Sequence, residues 1–544
     1  MTESATQRRA RQLRRLASES FDVLVIGGGA TGAGTALDAA SRGLKVALVE
    51  RFDFAQGTSS RSTKLVHGGV RYLEQAVKHA DRSQFSLVRE ALRERAVLLK
   101  NAPHLAHPLP LLTPIYGALE LPYYFTGLKL YDMLAGRANL SPSRLIGKSD
   151  AAQRFPMLKR DGLRGAVEYH DGQFDDARMN VALALTAAKH GAVVLNHVAV
   201  TELAKAQGLV TGAVVVDALG DPAPIEVSAA VVINATGPFA DAVRRLDEPG
   251  IPDMLKTSSG VHVVLPGRFS PPDTGLLIPK TEDGRVLFLL PWLGHTLVGT
   301  TDNPAGVSAE PLAEAEDVEY ILRHVRQYFE LPVATSDVLS SWSGLRPLVE
   351  PGDHGAGGHH AHGSSEAPGS GGPKSNGSTA RLSRDHTIVT SRSGLVTITG
   401  GKWTTYRKMA EDAVDTAVAT ASLQPTSRSR TASLPLIGGE AFSPDGAAKL
   451  QAEYGLAADT AEHLHHAYGD RAPIVAVLAQ RGWGERLAAG HPYLEAEVLY
   501  ARDHEDAHFA DDVLSRRLRL AFLDTAAALA AKARVEELLA GDPE

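Results

Sequence analysis

The sequence contains no cysteine. Disulfides, thiolate nucleophiles, iron–sulfur clusters and cysteine-based zinc sites are therefore excluded, whichever compartment the chain occupies. It has no uninterrupted run of about 18 apolar residues, the length a membrane-spanning helix needs. It also lacks an excess of positive charge: 56 Lys and Arg stand against 63 Asp and Glu, a net charge of -7. A general nucleic-acid binder needs the opposite balance. What is present is ordinary for a large folded protein. The 544 residues are 44% hydrophobic and 22% charged, enough for several domains with sizeable cores.

Charge is nevertheless uneven. Five arginines lie between Arg8 and Arg15, and no apolar stretch or cleavage site follows them, so a twin-arginine export signal does not fit. Residues 1–20 read as a basic arm, either a solvated tail or a contact for an anionic membrane surface. Residues 103–135 are apolar and aromatic but interrupted by Pro103, Pro108, Pro110, Pro114 and Pro122. Such a segment is not a single helix. It reads as substrate-domain core, with membrane contact as the other reading. Residues 351–380 are rich in Gly, Ser, Pro and His, bury too little apolar surface to fold, and are expected to form a disordered insert. Its histidines (His354, His359, His360, His362) would bind a metal only weakly on so mobile a loop, and no metal site is expected.

Chemistry begins at Phe21. A β-rich run to Ile26 stops at three glycines, an alanine-rich helix follows to about Gly43, and Leu44–Val49 reads as a second strand ending at Glu50. This is a βαβ unit with a parallel strand pair. Gly27-Gly28-Gly29-Ala30-Thr31-Gly32 fits G-x-G-x-x-G. Gly27 permits the tight turn, Gly29 lets backbone approach a pyrophosphate, and Gly32 lets helix pack on strand. The helix N-terminus offers N–H groups to phosphate, and Glu50 is placed to accept from a ribose. By itself the unit does not separate NAD from FAD. Downstream, Val193–Leu195, Leu209–Val216 and Ala229–Asn234 read as strands, Val261 to Thr301 as a hairpin-rich antiparallel sheet, and the chain beyond about Ser443 as helical.

The segment from Thr58 to Glu74 (TSSRSTKLVHGGVRYLE) closely resembles the FAD-dependent, quinone-linked glycerol-3-phosphate dehydrogenases. The resemblance continues in Asn234–Pro238, Gly299–Asp302, Ser343–Leu348 and Gly400–Arg407, spanning Phe21 to about residue 420. The insert is not part of that pattern, and the D-x-[DN]-x-[DN]-G calcium loop of some animal relatives is absent. The resemblance implies an α/β fold: an FAD-binding Rossmann-like domain (21–100, 165–255 and 381–420), an antiparallel-sheet substrate domain (101–164 and 256–350), and a C-terminal helical domain (430–544).

It further implies that FAD is held by Gly27 to Gly32, Glu50, Thr58, Ser59, Ser60, Ser62, Lys64, His67, Gly68, Val198, Ala235, Gly237, Gly401, Lys402 and Thr404. His67 reads equally as a structural histidine. Glycerol 3-phosphate would meet Arg71, Tyr72, His262, Arg346, Arg384 and Lys402. Among these His262 is the expected acid/base, with Arg346, Arg384 and Lys402 as catalytic cations. Electrons would pass to a membrane quinone from a peripheral protein on the cytoplasmic face. A homodimer is compatible with the sequence, and no nucleic-acid partner is expected. Two alternatives stay open: an oxidase that uses oxygen, and a flavin-binding sensor without turnover.

Overall fold

Two sheets organise the molecule, and the chain passes between them several times. The computed structural model describes residues 3–69, 73, 82–117, 120–279, 281–350 and 386–541. Arg71, Tyr72, Arg384 and the expected insert lie outside the described residues. The first sheet contains β1 (Ser20–Ile26), β2 (Val46–Val49), β7 (Val193–Leu195), β10 (Ile225–Asn234), β17 (His386–Thr390) and β18 (Val396–Gly400), in the order β17-β18-β10-β1-β2-β7. β8 (Val198–Ala206) and β9 (Leu209–Asp217) extend it through β10. β18, β10, β1, β2 and β7 run parallel. Parallel strands are covered on both faces, which is why β1 and β2 read as continuous apolar runs rather than alternating ones.

Helices α1 (Ala5–Ser18), α2 (Ala30–Ser41), α3 (Arg82–Asn101), α4 (Glu120–Ala135), α5 (Asp176–Lys189) and α6 (Tyr406–Ala421) are the ones that shape the site. α2 packs between α5 and α6 on one face of the sheet through alanines and glycine. A Cβ at Gly34 would stand 2.9 Å from the Tyr406 ring. Small residues here allow the helix to lie close.

The second sheet is built from β3 (Leu65–Val66), β4 (Ala106–Ile115), β5 (Arg144–Gly147), β6 (Gly165–Phe174), β11 (Leu255–Pro266), β12 (Gly275–Ile278), β13 (Leu287–Trp292), β14 (His295–Gly299), β15 (Asn303–Pro304) and β16 (Ser340–Val349). Its path is β15-β11-β14-β13-β12-β4-β6-β3, with β16 on β11 and β5 on β6. All pairs are antiparallel except β12 with β4. Sequence assigns Gly165–Phe174 to the FAD-binding domain. The structure instead runs this strand down the second sheet, where it pairs with β4 over its whole length. Residues 103–135 resolve into β4 and α4. The prolines sit where β4 tolerates them, and Pro122 lies in the first turn of α4, whose N–H groups lack intrahelical partners anyway.

The basic arm is not a tail. Ala5–Ser18 is a helix, capped by Ser4 and Gln7 in a reciprocal pair. Leu16 is fully buried, worth about 2 kcal/mol of apolar transfer. Arg8 donates to the Asp503 carbonyl and pairs with Asp506, Arg9 pairs with Asp217 at 2.6 Å, and Arg15 with Glu19. Arg8 and Arg9 tie the helix to the rest of the protein, while Arg11 and Arg14 are exposed. The C-terminal part is helical as expected, from Gly446–Tyr454 to Thr525–Ala540, with Leu514–Leu539 broken into three pieces at Leu518–Arg519 and Asp524.

Candidate active site

One cavity of about 2300 Å³ runs between the sheets. At one end lies the glycine turn after β1. Gly27 has φ +107°, and a Cβ there would stand 2.8 Å from the Ala235 carbonyl oxygen. The turn is held by its surroundings: Asn180 donates to the Gly28 carbonyl at 2.7 Å, and the Ala235 N–H to the Ile26 carbonyl at 2.9 Å. Glu50 accepts from the N–H groups of Gly28 (2.6 Å) and Phe52 (2.9 Å). Burial raises its carboxyl above the ordinary range, with those two N–H groups pulling the other way. Ser59 Oγ accepts from Ala30 N–H at the start of α2. A Cβ on Gly29 would meet that same oxygen at 2.9 Å. Glycine here keeps the approach to the helix N-terminus clear, as a pyrophosphate requires.

The loop after β2 forms the cavity's flank. Thr58 donates to the Leu345 carbonyl at 2.6 Å, and Trp403 Nε1 to the Ser59 carbonyl at 2.9 Å. The His67 N–H reaches Thr404 Oγ1 and the Gly68 N–H reaches the Tyr131 hydroxyl. Opposite, Gly400 (φ +79°) and Gly401 (φ +69°) make a left-handed turn that only glycine adopts without strain. The chain then enters a short helical turn, Trp403–Thr405, and α6.

His262 and Arg346 come from adjacent strands of the second sheet. His262 on β11 faces Gly299 on β14 and Trp342 on β16. Its ring stacks on Trp342 (centroids 4.2 Å, 18° between planes), and Nε2 lies 2.9 Å from Thr63 Oγ1. Burial first, then Lys64 and Arg346, push the imidazole well below its ordinary value. Arg346 crosses the face of Gly260 and donates to Thr300 Oγ1 and the Thr301 carbonyl, both at 3.1 Å, and to Asp302 at 3.4 Å.

The cavity is lined by Gly27, Gly29, Ala30, Thr31, Glu50, Thr58, Ser59, Ser62, His67, Gly68, Val198, Ala235, Gly237, Gly401, Lys402 and Thr404, and also by His262 and Arg346. Four expected cofactor residues do not line it. Gly28 and Gly32 act beneath the turn. Ser60 is buried, and its carbonyl accepts from Lys64 Nζ (2.8 Å) and Arg519 (2.7 Å). The Lys64 side chain is turned away from the cavity into an ion pair with Asp176 at 2.7 Å. Sequence reasoning missed Asp53, Asp176, Trp342, Arg516, Arg517 and Arg519, which hold the flanking loop from behind. Adjacent acids at Asp175-Asp176 opening a helix, and three arginines inside an apolar helical run at 516–519, were the available signals. Among the described residues, the one group with metal-ligand spacing is Asp53, His197 and Asp512. Arg516 and Arg517 already saturate Asp53, so it offers nothing to an ion.

The FAD dependent oxidoreductase family model matches residues 22–407, and the C-terminal domain of alpha-glycerophosphate oxidase matches residues 429–542. The human mitochondrial glycerol-3-phosphate dehydrogenase is 48% identical over 98% of this chain and 72% of its own length. The mitochondrial enzyme of Arabidopsis thaliana is 47% identical over 97% and 83%. The crystal structure of glycerol-3-phosphate dehydrogenase from Bacillus halodurans, complexed with FAD, superposes with a TM-score of 0.76 at 30% identity, covering 99% of this chain and 94% of that one. The glycine turn, the ribose acid and the flanking loop fit that cofactor. With match and geometry agreeing along nearly its whole length, the chain belongs to the FAD-dependent glycerol-3-phosphate dehydrogenase family.

Proposed function

We propose that this protein oxidises sn-glycerol 3-phosphate to dihydroxyacetone phosphate and passes the electrons to a membrane quinone. The observation that carries the reading is one cavity lined both by the dinucleotide turn and by His262, Arg346 and Lys402. FAD, when bound, supplies the acceptor for the hydride leaving C2 of the substrate. Gly27, Gly29 and the first turn of α2 hold its pyrophosphate, Glu50 its ribose, and the Gly400–Lys402 turn faces the ring system.

The chain's own residues do the remaining work. A dianionic phosphate calls for forked cations. Arg346, preset by Thr300, Thr301 and Asp302, and Lys402 meet that need, with Arg71, Tyr72 and Arg384 completing the set. His262 takes the hydroxyl proton as the hydride departs, leaving a carbonyl at C2. Its buried, cation-flanked position keeps the ring neutral at physiological pH and able to accept.

The quinone would approach along α3 and α4, where Leu87, Val88, Pro122, Tyr124, Leu128 and Leu130 make an apolar wall of the same cavity. Tyr123 and Met133 on α4 are exposed, Met133 to 76%. No helix among the described residues is long and apolar enough to cross a membrane, so contact would be peripheral. The cytoplasmic face suits a charged substrate that does not cross a bilayer unaided.

The test is the visible spectrum of the bound flavin in an anaerobic cuvette. Glycerol 3-phosphate should bleach it and a short-chain quinone restore it. An unchanged spectrum would sink the reading, and rapid peroxide formation in air would favour an oxidase.

A further inference from the structure

Lys64 is a costly residue to keep where it stands. Its backbone adopts φ +62°, a left-handed conformation that glycine or asparagine takes more cheaply. Its ammonium is completely buried, 2.7 Å from an equally buried Asp176. Such pairs contribute little net stability, because desolvation offsets the attraction. Two carbonyls, Ser60 (2.8 Å) and Ser62 (3.1 Å), complete the ammonium's hydrogen bonds. Burial, strain and full satisfaction together indicate a charge that is needed at one place.

That place is beside Trp342. Lys64 Nζ lies 4.5 Å from the indole centroid, a cation–π distance. The same indole carries the stacked ring of His262. Trp342 Nε1 is buried with no hydrogen bond among the described residues. The plane of the indole is therefore set by what presses on it: Lys64, His262 and Phe522 at 5.2 Å. The neighbouring residue Thr63 bonds His262 Nε2 directly, so one loop holds the imidazole both at its edge and through its stacking partner.

We propose that Lys64 is a positioning residue for His262: its buried ammonium, anchored by Asp176, fixes the indole on which the imidazole stacks and keeps a positive charge behind that ring. The inference rests on His262 being the proton acceptor. The charged groups facing Lys64 are Asp176, Asp175, Arg519 and His262, and those facing His262 are Lys64 and Arg346. A cation at this distance disfavours imidazolium and so extends the pH range in which His262 accepts a proton. Burial brings the lysine itself down to about 7, with Asp176 opposing that shift.

The test follows anaerobic flavin reduction by glycerol 3-phosphate in the FAD-loaded full chain, from about pH 5 to 9. Lys64→Gln keeps donors for Ser60 and Ser62 but removes the charge. Its kcat/KM should lose rate on the acid side at a higher pH than the parent's, the limb moving up by about one pH unit toward the ordinary histidine range, with burial still holding it below that range. Lys64→Arg keeps the charge at every pH. It should keep the acid limb where the parent has it. An acid limb that does not move in Lys64→Gln overturns the proposal. Where Lys64→Gln fails to hold FAD, an acid limb that moves upward in Lys64→Arg as well overturns it instead. His262→Asn separates the two layers. Full rate in that variant sinks the proton-acceptor reading and this inference with it, whereas a lost rate with an unmoved Lys64→Gln limb sinks this inference alone.

Discussion

Arg517 donates from both terminal nitrogens to Asp53, at 2.7 and 3.0 Å, across 464 residues of chain. Neither side chain reaches solvent. Arg516 adds a third contact to the same carboxylate at 2.5 Å. Asp53 lies just after β2 and Glu50, so this pair fastens the C-terminal helical part to the loop that flanks the cavity.

Replacing Asp53 by Ala leaves two guanidinium groups buried without their acid, and is expected to cost about 3–5 kcal/mol. Burial alone would raise the Asp53 carboxyl, but Arg517 and Arg516 overcome it and hold the group far below the ordinary aspartate range. The stability this pair contributes is therefore complete above that ordinary range and is lost progressively below it, as pH falls toward the folded carboxyl's own lower value. Thermal melting of Asp53→Ala at neutral pH, followed by flavin fluorescence, should show a lower midpoint and earlier FAD release.

A second acid effect comes from histidines and has the opposite origin. Burial pushes His104 down to about 3 and His508 to about 4, and holds His262 well below its usual value. The unfolded chain protonates these rings below about pH 6.5 while the folded one does not, so stability falls as pH drops. Each histidine should subtract about 2 kcal/mol between pH 6.5 and 5. Melting curves for His104→Gln should fall less steeply over that interval than those of the parent, and an identical slope would contradict the assignment.

Gly27→Ala forces a Cβ against the Ala235 carbonyl and places a side chain at φ +107°. The turn must shift, and the pyrophosphate site with it. The purified variant should retain less than about a tenth of the parent's FAD, read from its absorbance ratio.

Arg346→Ala should raise the KM for glycerol 3-phosphate about 10- to 100-fold, the loss expected for charge-assisted hydrogen bonds to phosphate. Arg346→Lys keeps the charge but not the fork, and should recover only part of it. An unchanged rate curve would remove Arg346 from the substrate site.

If α4 meets the bilayer, Met133→Glu and Tyr123→Glu together should lower sedimentation with vesicles. Flavin reduction by substrate in Met133→Glu alone should be unaffected, since Met133 does not line the cavity. Equal sedimentation of parent and variant would rule out this surface.

Local patterns made the FAD site readable. The strand, glycine turn, helix, strand and Glu50 lie within 31 residues, from Ser20 to Glu50, and each element's constraint is written in the residues beside it. Nothing comparable marks β6. Its sequence, GAVEYHDGQF, is more polar than that of β1 or β2, and only its partner β4 shows which sheet it joins. The arginines of α1 misled for the same reason. A charge run looks solvated until Asp217 and Asp506 are seen to stand opposite it. Lys64 reads from sequence as a cofactor contact because it lies inside the segment that carries the family resemblance. Its true partners, Asp176 and Trp342, stand more than a hundred and more than two hundred residues away.

The late position of Arg516, Arg517 and Arg519 has a consequence for how the enzyme is made. The nucleotide turn and its second strand are complete by Glu50, yet β18, which completes the central strands, is not synthesised until Val396–Gly400. Arg519, which clamps the Ser60 carbonyl, follows more than a hundred residues later. Firm cofactor capture therefore waits until synthesis reaches Arg519. A chain cut short before these arginines would carry every glycine of the dinucleotide motif and is expected to hold its flavin loosely.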